Sequence, residues 1–174
     1  MKYHLKRVFG NTVLTFEEFS TVLCQVGACL NSRPLCAISS DPADYDVLTP
    51  GHFLVGEPLN AIPEGDLTHL KMNRLSRWQL TQQMVQHFWK RWSNEFLSTL
   101  QQRFKWTSKR ADLQVEDLVL NKDDNPPPNN WSRGRIIKAH PGQDSCVRVV
   151  TVKTMNGELE RPIVKLCPIL YSDE

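Results

Sequence analysis

The residues of this chain best suited to chemistry are cations and an indole within one stretch, "NNWSRGRIIKAHPGQDSCVRVVTVKT", residues 129 to 154. Trp131, Arg133, Arg135 and Lys138 run through its first half, Arg148 and Lys153 through its second. Arginine and lysine neutralise phosphates and an exposed indole stacks on a base, so the pattern is that of a nucleic-acid platform. For Trp131 two roles are open, stacking outside or plugging a core. A second basic set lies upstream: Lys90, Arg91, Lys105, Lys109 and Arg110, placed to track a phosphate backbone.

Catalytic patterns are missing from the sequence. There is no G-x-x-x-x-G-K, G-x-G-x-x-G, H-E-x-x-H or G-x-S-x-G. Glu17 and Glu18 suit a helix cap, Asp123 and Asp124 flank a proline run, and Asp41, Asp44 and Asp46 in "SDPADYD" read as a turn-rich loop rather than a cation site. The five cysteines (Cys24, Cys29, Cys36, Cys146, Cys167) are odd in number and form no C-x-x-C, which fits reduced thiols better than a disulfide framework or a zinc ribbon. No catalytic residue, metal ligand or cofactor is expected.

Net charge is only +2, but it is unevenly spread. Residues 1 to 70 hold 4 basic and 8 acidic groups, residues 71 to 110 hold 9 and 1, and residues 111 to 174 hold 8 and 10. A basic block in the middle of a chain suits a polyanionic partner. No run of about 18 apolar residues occurs, and the start lacks the apolar core of a signal peptide. An intracellular protein, nuclear or cytoplasmic and without membrane contact, is expected.

The elements that must position these groups are legible from periodicity. In "LTFEEFSTVLCQVGACLNSRPL", Thr15 and Glu18 have capping-box spacing, and Phe16, Phe19, Leu23, Val26 and Leu30 form one helical stripe that Pro34 ends. Thr49 and Pro50 open a short helix in an otherwise irregular connector. From Leu75 to Phe104 no Pro or Gly occurs, and Trp78, Val85, Phe88, Trp92, Phe96, Leu100 and Phe104 recur at helical spacing, predicting a long amphipathic helix. Beyond it the period changes to two. Strands are predicted from Val115, Gly134, Cys146 and Glu158, the last two joined by a tight Met155-Asn156-Gly157 turn.

Several segments together resemble the C-terminal part of the integrases of BEL/Pao long-terminal-repeat retrotransposons. They are "LTFEEFSTVLCQVGACLNSRPL", "LTPGHFLVGEPL", "RLSRWQLTQQMVQHFWKRW", "NEFLSTLQQRFKW" and "NNWSRGRIIKAHPGQDSCVRVVTVKT" followed by "RPIVKLCPI", in the order of that family. The resemblance implies an α+β chain. Residues 1–40 would be closing helices of a ribonuclease-H-like core, 41–74 an irregular connector with a short helix, 75–110 a long basic helix, and 111–171 a small SH3-like β-barrel in a domain of unknown function. It also implies DNA integration as the setting. The partners would be nucleic acid, foremost DNA, bound without sequence preference, and a further copy of the chain or the parent integrase core. The family's metal-binding aspartates and glutamate would lie upstream of Met1, and none of Glu17, Glu18, Asp41 or Asp44 matches them, so no enzymatic role carries over. The family places Asp-Gly before "VRVV", whereas here Ser145 follows Asp144, which predicts a longer turn leaning on Gly142. The alternative is a protein-interaction module, assembled through the aromatic helix or reading a peptide on a chromo-like barrel.

Overall fold

A computed structural model of the chain describes residues 2–39, 41–62, 64–101, 113–122, 126–142 and 147–169. The chain is α+β. It divides into two compact units built from interleaved stretches: Met1–Arg33, Thr49–Glu95 and Asn125–Asn130 form the first, and Pro34–Leu48, Phe96–Asp124 and Trp131–Glu174 the second.

In the first unit, α1 (Lys2–Phe9) precedes α2 (Phe16–Asn31). The capping box of α2 forms as its spacing predicts: Glu18 N–H donates to Thr15 Oγ1 at 3.3 Å, and Thr15 N–H donates to the Glu18 carboxylate at 2.9 Å. The buried face differs from the predicted stripe. Val22, Val26 and Cys29 are buried, while Phe16 is 81% exposed and Phe19 41%, the latter in contact with the Phe9 ring at 5.4 Å. The helix is thus turned so that its phenylalanines lie at the rim. The short helix is α3 (Pro50–Val55), where the Thr49 N–H bonds to His52 Nδ1 at 3.0 Å.

The long helix is α4 (Arg77–Leu100), and its last residues, Phe96 to Leu100, belong to the second unit. An amphipathic helix leaves one face in water. Here every residue from Leu80 to Gln86 is buried, so this part of the helix is enclosed on all sides. Enclosure demands partners for the three glutamines it buries. Gln86 accepts from the Leu67 N–H at 2.9 Å and donates to Gly65 O at 2.9 Å, and Gln83 donates to Leu67 O and Leu70 O at 2.7 and 2.8 Å. Between α3 and α4 the described chain makes a 3-10 turn, Met72–Arg74, and the amides of α4 bond to its backbone around Leu67 and Leu70.

The second unit holds a two-residue hairpin, β1 (Cys36–Ala37) with β2 (Val47–Leu48), and a five-stranded antiparallel sheet. Its strands are β3 (Leu118–Asn121), β4 (Arg133–Pro141), β5 (Val147–Thr154), β6 (Gly157–Pro162) and β7 (Leu166–Pro168), in the order β6-β5-β4-β3-β7. The last strand pairs back on the first, as in the small barrel expected. Among the described residues no ladder joins β6 to β7, so the sheet is hydrogen-bonded as an open one. The segment predicted as one strand from Glu158 is broken after Pro162, whose ring cannot donate to a ladder, and a 3-10 turn (Ile163–Lys165) leads into β7. The β5–β6 hairpin also differs from an Asn-Gly turn. Its two loop residues are Met155 and Asn156, and the positive φ, 128°, falls on Gly157 after them. The turn around Asp144 and Ser145 lies outside the described residues.

Strand β3 is buried along its whole length. Leu118 and Leu120 face a cluster with Ala37, Val47, Leu97, Cys167 and Ile169, while Val119 faces Ile136, Val150, Val152 and Leu166. Burial pushes the Cys167 thiol up to about 11, and its Sγ donates to Leu97 O at 3.3 Å. Gly134 in β4 is dictated by close approach. A Cβ there would lie 2.5 Å from Val152 Cγ1 and 2.7 Å from Lys153 O, and the carbonyl is backbone and cannot swing aside. Gly134→Ala should therefore destabilise the protein by about 2 kcal/mol, seen as a lower urea midpoint with an unchanged slope.

Candidate nucleic-acid interface

Arg135 projects from β4 into a cage of backbone carbonyls. Its guanidinium donates to Asp41 O (2.6 Å), Asp44 O (2.8 and 3.1 Å), Glu116 O (3.0 Å) and Ser39 O (3.4 Å), and the residue is 3% exposed. Five donors in a rigid fork suit such a cluster of acceptors, and the loop between β1 and β2 is thereby fastened to the sheet. Arg135 is therefore removed from the phosphate-binding set: its donors are spent inside the unit. The carboxylates of that loop are occupied too. Asp41 accepts from the Ala43 N–H and Asp44 from the Asp46 N–H, both at 2.8 Å, which makes them turn-formers.

The other residues of the sequence pattern separate in the same way. Trp131 is half-buried against the cluster of Leu97 and Leu118, edge-on to Phe96 at 5.5 Å, so it takes the plugging role and not the stacking one. Arg133 pairs with Asp46 at 3.5 Å. Lys138 and Lys153 are exposed on one sheet face, since Lys138 is opposite Thr151 and side chains alternate along β5. Arg148 is exposed at a bulge, where the pairing steps from Val149 to Val147, so strict alternation does not assign it to the face away from Lys153. The Lys138 and Lys153 face also carries acids: Lys153 is opposite Glu158, and Thr151 opposite Glu160. Cations and acids are interleaved on that face.

In the first unit Lys90 and Arg91 stand exposed and consecutive on α4, with no acidic residue between Asp66 and Glu95 in the sequence. They adjoin half-buried His87. Partial burial, then the charges of Arg91 and Lys90, hold the His87 imidazole below its ordinary 6.5, against a smaller opposing pull from Asp66. Arg77, by contrast, is engaged: its Nε donates to Glu18 at 2.7 Å, and this bond with the Thr15 N–H keeps the Glu18 carboxyl below the usual range. Lys105, Lys109 and Arg110 lie outside the described residues.

The features that sequence reasoning missed are the carbonyl cage of Arg135 and the glutamine contacts of α4. A signal for the second was present, because Gln82, Gln83 and Gln86 fall in one turn of a helix otherwise rich in apolar and aromatic residues. The four described cysteines, Cys24, Cys29, Cys36 and Cys167, are unbridged. Among the described residues no three His, Cys, Asp or Glu side chains converge as a metal site would need, and no helix is long and apolar enough to cross a membrane.

Fold and site define an α+β protein with a long, glutamine-bearing helix, a five-stranded antiparallel sheet and two exposed consecutive cations on the helix. Residues 76–169, which are 94 of the 174, match the model of a family of unknown function (DUF5641), and the chain belongs to that family. No curated protein and no solved structure matches the chain.

Two consequences are measurable by denaturation. Arg135→Met removes the hydrogen bonds of a buried guanidinium to four backbone carbonyls and should cost about 3 kcal/mol, whereas Arg133→Met breaks one partly exposed ion pair and should cost less than about 1 kcal/mol. The depressed His87 favours the neutral ring in the folded state. Its contribution to stability is present above 6.5 and is lost as pH falls through the lower folded value, a loss that His87→Gln should remove from the pH profile.

Proposed function

We propose that this chain is the C-terminal region of a BEL/Pao-type retrotransposon integrase that holds nucleic acid, DNA foremost, without sequence preference and without carrying the catalytic residues. The observation that carries the binding part is the exposed, consecutive Lys90 and Arg91 pair, whose charges add to burial in lowering the His87 pKa. The setting, DNA integration inside the cell, is supported by the sequence resemblance alone. On this reading the contacts are to phosphate, and the protein reads charge density rather than bases. Lys138 and Lys153 add a weaker contribution, tempered by Glu158 and Glu160. The basic residues between 102 and 110 add theirs in sequence.

A second reading is a protein-interaction module. Its support is less the aromatic stripe of α4, where Val85 and Phe88 are buried and Trp78 is 55% exposed, than α3, where Phe53, Leu54 and Val55 are 74, 65 and 59% exposed in succession.

Binding to random duplex DNA should weaken steeply with salt. Lys90→Ala with Arg91→Ala should flatten the log–log slope by roughly two, about one per lost phosphate contact, equally on unrelated sequences. A bound phosphate beside His87 should raise its pKa toward 6.5, so binding should tighten as pH falls below that value. Unchanged affinity and slope in the double variant would refute the reading, and concentration-dependent sedimentation abolished by Phe53→Ser would favour the second.

A further inference from the structure

Between Gly65 and Leu70 the chain is held to α4 by side-chain bonds that fix one residue closely. The Gln86 amide accepts from the Leu67 N–H and donates to Gly65 O, both at 2.9 Å, so it grips the backbone on either side of Asp66. Gln83, one turn earlier, donates to Leu67 O and Leu70 O at 2.7 and 2.8 Å. The Asp66 side chain is fixed in its turn: Oδ1 accepts from the Thr68 N–H at 2.9 Å and from the Thr68 hydroxyl at 2.6 Å. His87 follows Gln86 directly and Lys90 stands four residues after it, and positions four apart share one stripe of a helix. A carboxylate gripped at Gln86 is thereby delivered to the stretch of α4 that carries His87 and Lys90.

The electrostatics agree with that placement. The bonds from Thr68 come first, and the charges of His69 and Lys90 then help to hold the Asp66 carboxyl below the usual carboxylate range. Burial, Arg91 and Lys90 lower the His87 imidazole, and Asp66 pulls it back up. A phosphate arriving at Lys90 and Arg91 therefore meets an anion already in place. We infer that Asp66, clamped by Gln86, is a resident counter-ion of Lys90 with which phosphate must compete, so that it limits how tightly this surface holds a nucleic acid. The inference rests on nucleic acid being the partner and names the residue that restrains the contact. Swinging the carboxylate away as a phosphate approaches would break its bonds to Thr68, so the competition persists in the complex. A polyanion then gains two attractions and one repulsion at once, and the contact it makes is weak and readily reversed.

Asp66→Asn tests this, since the asparagine carbonyl still accepts from Thr68 while the charge is gone. In the full chain without nucleic acid, an NMR titration of the His87 ring should move to lower pH in the variant, because the upward pull is lost. On random duplex DNA at low salt the variant should bind up to about fivefold tighter, the scale of one exposed charge pair. The gain should fade above about 0.1 M salt, where the screening length falls below about 10 Å. Glu57→Gln, which removes an exposed carboxylate ahead of the clamped stretch, should do neither. An unmoved His87 titration overturns the counter-ion. So does an Asp66→Asn protein that binds duplex no tighter than its parent, or an equal gain from Glu57→Gln, which would trace the effect to net charge. If neither protein binds duplex while His87 still moves, the nucleic-acid reading fails and the competition with phosphate fails with it, but the placement of Asp66 beside Lys90 stands.

Discussion

Backbone outside helix and sheet is held in place only where something supplies the hydrogen bonds that regular structure would have given it. Both units answer that constraint with long polar side chains. In the first, Gln83 and Gln86 bind the backbone of the connector around residues 65 to 70. In the second, Arg135 gathers the carbonyls of the loop from Ser39 to Asp44 and that of Glu116. Neither stretch has a ladder of its own to hold it. Replacing these side chains by apolar ones of equal volume would fill the same space and still leave the amides and carbonyls stranded.

The same demand explains why the basic pattern of the sheet does not become a surface. An arginine is the side chain with the most donors, and a loop of unpaired carbonyls is the strongest local competitor for them. Arg135 satisfies the loop, Arg133 turns to Asp46, and Trp131 fills space beside Phe96. Of what is left outside, Lys153 is opposite Glu158 and Lys138 is opposite Thr151, itself paired with Glu160. Cationic character survives on α4 because Lys90 and Arg91 come after the enclosed stretch, where the helix again meets water.

Much of the fold was legible in the sequence because it is written in local rules. Thr15 with Glu18, Pro50 after Thr49, and the change of period after residue 111 each act within a few residues; α2 and α3 start where those rules place them, while the strand expected from Val115 starts at Leu118 and the one expected from Glu158 breaks at Pro162. What was not legible depends on distance. That Ala37 and Val47 join the core of the sheet, and that Leu80 to Gln86 is enclosed, are tertiary facts which no periodicity encodes. The site suffered most, since alternation along β4 and β5 shows which side a cation takes but not whether a carbonyl or carboxylate waits there. Arg135 and Lys153 are opposite one another in register and have contrary fates, one enclosed and one in water.

The edges of the sheet carry one more implication. Strand β6 reads "GELERP" and ends on Pro162, and β7 is three residues long and ends on Pro168. A border of charges and prolines offers an incoming chain few free backbone donors in a row, so ribbon-like growth at either margin is discouraged. Whatever company this protein keeps, it must be met through side chains.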